Sequence, residues 1–166
     1  MAKKLSLILV VGLSIGGGVG IAPGQSVAHQ RCERLKGNGG IRSTVVAEGC
    51  TSPVGLCTAG VFEGNRLLAG TTSFVADGLA PAAGMPQVEA PTTLAYTGLL
   101  TITTRHGTLT TRDTGIFDTA AGLFSSRDVI VGGTGIFAGA TGHLFFTGTG
   151  SSTFESDATG EICLGH

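Results

Sequence analysis

Tryptophan is absent, tyrosine occurs once, and aromatic residues make up only 5% of the 166-residue chain. No stretch interleaves Lys and Arg with aromatic side chains, so a nucleic-acid surface is excluded. The marks of hydrolytic and zinc chemistry are missing as well. There is no Gly-x-Ser-x-Gly elbow, no Cys-x-x-Cys and no pair of histidines at ligand spacing. Also lacking is any window with a sustained 3.6-residue apolar period. The 29 glycines and many threonines weigh further against helices, where both score poorly.

What is present begins with an export pattern. Lys3 and Lys4 precede an apolar run, Leu5–Ile15, and Ser26-Val27-Ala28 fits a small-x-small cleavage site. Residues 1–28 are therefore expected to be a signal peptide and residues 29–166 a single domain, secreted or periplasmic. The apolar run is too short and too interrupted by Gly for a comfortable membrane span. No cysteine near its end could accept a lipid, so no stable membrane insertion is expected after cleavage. Removing Lys3 and Lys4 leaves eight basic residues against eleven acidic ones, a net charge of −3.

All four cysteines lie in the remaining part, and an even number in an exported chain reads as two disulfides. Three pairings are formally open. The turn-like segment Thr-Ser-Pro-Val-Gly-Leu between Cys50 and Cys57 favours that short bridge, which leaves Cys32 and Cys163 to tie the chain ends together.

Short β-rich runs ended by Gly, Asn or Asp recur about every ten residues, the pattern of an all-β sandwich or barrel. Eight strands are expected: 42–48, 58–63, 67–77, 92–105, 108–117, 123–131, 142–149 and 153–164. Segment 78–91, with three prolines, reads as a loop at the barrel rim or a lid. Eight antiparallel strands close into a single β-barrel with room for side chains or one small ligand. In the long strand 92–105, Leu94, Tyr96, Leu100 and Ile102 share the inward face. Thr114-Gly115-Ile116-Phe117 recurs as Thr134-Gly135-Ile136-Phe137, which suggests one turn used twice, with a Phe plugging the barrel end.

The second copy sits in a glycine-rich corner, 128–150, that invites a dinucleotide reading. Gly133-x-Gly135-x-x-x-Gly139 misses the Rossmann spacing by one residue, and a strand rather than a helix follows it. Only 31 residues follow Gly135, too few for the rest of such a domain. No cofactor is expected, and the corner reads as a bend between strands. The run Val131-Gly132-Gly133-Thr134-Gly135-Ile136-Phe137-Ala138-Gly139-Ala140-Thr141-Gly142 resembles the Gly-Gly-[Ser/Thr]-Gly-x-Phe-x-x-(x)-x-Gly signature of the allene oxide cyclase and dirigent protein superfamily. That resemblance implies a calycin-like, eight-stranded barrel and homo-oligomers, dimers or trimers. Its known activities are cyclisation of an epoxide fatty acid and steering of phenol radical coupling. The signal peptide and the four cysteines point to a bacterial-type member.

Candidate site residues are few. Arg112-Asp113 and Arg127-Asp128 stand in neighbouring strands, and in each pair alternation sends one charge inward and one outward. An inward Arg and Asp would pair and line a pocket, whereas on the outer face they would form a weak surface ion pair. Tyr96 offers an interior hydroxyl, and His143 begins a strand beside the corner. Three functions follow: a barrel binding a small hydrophobic or phenolic molecule, an allene-oxide-cyclase-like or dirigent-like catalyst, or a filled structural barrel. No catalytic residue and no metal ligand can be assigned from the sequence.

Overall fold

The computed structural model describes residues 31–82 and 92–165. The signal-peptide segment, His29, His166 and most of the expected 78–91 loop lie outside them. The elements are β1 Arg31–Lys36, β2 Gly40–Val45, β3 Cys57–Glu63, β4 Gly70–Pro81, β5 Thr93–Thr104, β6 Gly107–Asp118, β7 Leu123–Gly133, β8 Thr141–Gly150 and β9 Thr153–Leu164. A single 3-10 turn, Gly135–Phe137, separates β7 from β8.

Strands β2 to β9 pair antiparallel in chain order, and β9 returns to β2, closing an eight-stranded barrel. Strand β1 adds a ninth pairing outside that ring. It runs along the edge of β9 that β2 also uses, with Lys36 opposite Thr159 and Arg42 opposite Glu155. Gly37 at φ 77° turns the chain between the two, and Gly37 and Gly39 clamp Ala158 through backbone hydrogen bonds of 3.0 and 2.8 Å. Cys32 and Cys163 face each other across β1 and β9 and are bonded. The second disulfide joins Cys50 to Cys57.

Strand β1 was not among the eight expected, the first expected strand, 42–48, is β2 at Gly40–Val45, and two further boundaries move. Leu67–Ala69 is a turn, not a strand, because the Asn65 side chain accepts hydrogen bonds from the Leu67 and Leu68 amides and seats Leu68 in the core. Gly78–Pro81 belongs to β4 instead of to a loop. A bulge between Ala76 and Gly78 resets the register, so that Leu79 pairs with Tyr96 and Pro81 with Leu94. Proline fits there because the β3–β4 ladder stops at the Cys57–Val75 pair and leaves one edge of β4 without a ladder beyond it.

One end of the barrel is solid. Phe62, Leu68, Ile102, Leu109, Phe137, Leu144 and Ile162 are essentially fully buried there. The corner supplies the plug. Gly135 takes φ 60°, which favours glycine, and packs its backbone on the β5–β6 turn, where Ile136 donates to the His106 carbonyl at 3.1 Å. Only Phe137 turns inward, and Ile136 remains 41% exposed. The other copy of the motif, Thr114–Phe117, lies inside β6 and makes no turn. It is flanked by continuous ladders to β5 and β7 on both sides, so its glycine serves the interior and not a bend.

Candidate functional site

Alternation along β6 and β7 points Thr111, Asp113, Ser126 and Asp128 into the barrel. The register then places Asp113 directly opposite Asp128. The inward charges are thus two acids, not an acid and a base. Each is flanked in sequence by an arginine that the pleat sends outward. Arg112 makes a bidentate pair with Asp77 on the outer face, and Arg127 is exposed.

Above the solid end lies a cavity of about 260 Å³. Its walls include Phe74, Tyr96, Leu100, Phe117, Phe124, Phe146 and Phe154, with Asp113 and Ser126 among its few polar groups. Phe154 packs edge-on against Phe117 at 5.8 Å and Phe124 at 5.7 Å, and Phe74 against Tyr96 at 6.0 Å. Glycine makes this arrangement possible. A Cβ on Gly115 would lie 2.5 Å from the Tyr96 ring and hydroxyl, and one on Gly98 would lie 2.4 Å from the Phe74 ring. Each ring therefore lies over a strand glycine, against the wall.

The two acids differ in their surroundings. Asp128 is fully buried and accepts hydroxyl hydrogen bonds from Thr111 at 2.5 Å and Ser126 at 3.0 Å. Asp113 is 7% exposed, and its Oδ1 finds no hydrogen-bond partner among the described residues. Burial, then the charge of Asp128, pushes the Asp113 carboxyl up to about 8. Burial pushes Asp128 up to about 6, opposed by the Thr111 and Ser126 hydroxyls. Near neutral pH the pair therefore holds one proton, as expected of facing carboxyls in an apolar site. Burial and then Asp113 raise the Tyr96 phenol well above its usual range, so it stays a neutral donor.

Of the residues singled out from sequence, Tyr96 and Asp113 line the cavity and Asp128 stands directly behind Asp113. Arg112, Arg127 and His143 lie on the outer face, the last with its ring 5.2 Å from Phe145. Ser126 and Thr111, which hydrogen-bond the inner acid, were not anticipated. A signal for the acid pair existed. Asp113 and Asp128 stand five residues from the two ends, Asp118 and Leu123, of the same hairpin turn.

Comparison with family models, with curated proteins and with solved structures yields no match to this chain. Among the described residues, no helix is long and apolar enough to cross a membrane.

Proposed function

We propose that the protein binds a small, mainly apolar molecule inside the open half of its barrel. One observation carries this reading: a largely apolar cavity of about 260 Å³ is lined by the buried carboxyl Asp113, one of whose oxygens has no hydrogen-bond partner among the described residues. Buried polar atoms are normally satisfied, and each exception calls for a partner. The volume sits just below the usual range for ligand pockets, about 300–1,000 Å³, so the molecule is small. Export is part of the proposal, supported by the two disulfides and the Lys-apolar-Ala28 pattern. So is kinship with the allene oxide cyclase and dirigent superfamily, supported by the corner motif and the eight-strand closure.

A second reading, catalysis on the bound molecule, is favoured by the acid pair alone. Two carboxyls whose proton affinities are driven apart supply an acid and a base in one place.

The chain offers its own probe. Tyr96 is the only tyrosine and there is no tryptophan, so intrinsic fluorescence reports on the cavity. Titration with small apolar compounds should change that signal saturably, and Ser43→Phe, which fills the cavity, should abolish the change. A saturable signal that survives Ser43→Phe, or none with any compound, sinks the binding reading. Turnover of a bound compound that Asp113→Asn removes would move the assignment to the catalytic reading.

A further inference from the structure

We propose that the molecule held in this cavity carries a protonated amine, seated against Asp113, on an apolar body. The inference rests on the binding reading above and adds the chemistry of the head group.

The cavity is lined by one acid, Asp113, with a second, Asp128, directly behind it and no base to balance them. Asp113 lines the cavity and its buried Oδ1 is unpartnered among the described residues, while Asp128, opposite it on β7, has both oxygens engaged by Thr111 and Ser126. Among the described residues, no Lys, Arg or His lines the cavity. The nearest arginines, Arg112 and Arg127, are turned to the outer face by the pleat, and Arg112 is occupied by Asp77. Buried charges in proteins are normally paired. Here the cationic position of such a pair faces the cavity.

An ammonium group answers each requirement. Two facing carboxyls in an apolar site share one proton near neutral pH, and a cation beside them is what lets both ionise. A neutral alcohol offers no charge to offset a second carboxylate, and a carboxylate or phosphate would be repelled. The ammonium brings three donors, enough for Asp113 and a neighbouring hydroxyl such as Ser126. The rings of Phe74, Tyr96 and Phe154 then serve the apolar body and add attraction for the cation. On binding, no bond is made or broken except O–H: Asp113 gives up its proton to solvent as the ammonium takes its place.

The test compares 2-phenylethylamine with 2-phenylethanol, which share a body and differ in the head group. Both are titrated calorimetrically and by Tyr96 fluorescence near pH 7. The amine is expected to bind at least about tenfold more tightly. Its heat should vary with the ionisation enthalpy of the buffer, reporting a released proton. Asp113→Asn should bring the amine down to the level of the alcohol and leave the alcohol within about threefold.

The wild-type protein provides a second measurement that needs no variant. The groups facing Asp113 are Asp128 on β7 and Tyr96 on β5, with Arg112 behind it on the outer face. The amine stays protonated throughout, and its advantage over the alcohol should grow from pH 5 to pH 8 as the acid pair ionises. Equal affinity for the two compounds, or an amine advantage indifferent to both pH and Asp113→Asn, overturns the amine assignment. Binding of the alcohol without the amine overturns it too, while leaving a neutral-ligand barrel. Binding of neither overturns this inference and the binding reading together.

Discussion

Asp113 and Asp128 occupy one apolar compartment, and the sign of their effect on stability follows from their proton affinities. Both carboxyls hold protons in the folded chain at pH values where the unfolded chain has released them, since folding raises them from 3.8 to about 8 and about 6. Their contribution is fully present below about pH 4 and is lost as pH rises through 6 and then 8. The slope is on the order of 1 kcal/mol per pH unit. Asp77, lowered by Arg112, acts in the opposite direction, but its window lies below that range and the pair is exposed. Urea unfolding should therefore give a higher midpoint at pH 5 than at pH 8, and Asp113→Asn should flatten the fall between pH 6 and pH 8. Midpoints that stay level in the wild type would contradict the burial of the pair. At this scale the sequence was legible only in part. The alternation of Arg112-Asp113 and Arg127-Asp128 implied one inward charge from each pair, but alternation has two phases, and the phase is set by the remaining strands. The same ambiguity attached to Tyr96, whose inward side was legible because Leu94, Leu100 and Ile102 share it.

Among the elements, the corner between β7 and β8 separates local from global determinants most clearly. Its glycines marked a bend, and Gly135 at φ 60° makes one. Yet the same four residue types at Thr114–Phe117 run straight through β6, because neighbours on both sides complete its ladder. Local composition allows a turn, and unpaired edges decide whether one forms. The plug itself is testable. Phe137→Ala removes a fully buried ring and should cost about 3–5 kcal/mol, whereas Ile136→Ala, beside it but exposed, should stay within about 0.5 kcal/mol. Equilibrium unfolding in urea distinguishes the two. Equal effects would mean that the corner, and not its phenylalanine, seals the barrel end. β4 makes the parallel point for prolines. Pro81 read as a loop marker, but a strand whose neighbour has stopped accepts it.

For the molecule as a whole, the disulfides and the ring closure express the same constraint. Cys32–Cys163 spans a sequence separation of 131 and Cys50–Cys57 only 7. Loop-closure entropy then assigns about 5 kcal/mol to the long bridge and about 2.5 kcal/mol to the short one. Denaturation of the paired serine variants, Cys32→Ser with Cys163→Ser against Cys50→Ser with Cys57→Ser, should show the larger loss for the first. The reverse order would place the constraint in the 50–57 turn, where Ser52 also binds the Ala76 carbonyl at 2.6 Å. The amino-acid sequence by itself determined the all-β class, most of the strands and the favoured cysteine pairing, while leaving β1 unassigned and the inward phase of Arg112-Asp113 and Arg127-Asp128 open. These depend on period-two alternation, on turn residues and on the proximity of chain ends in a closed sheet, all of which are local or topological. Only the tertiary structure decided that the barrel is solid at one end and hollow at the other, and that the hollow is lined by Asp113 with Asp128 directly behind it. A cavity is the volume left over among eight strands, and a cross-strand pair depends on register. Both are sums over distant residues that no single stretch of sequence carries.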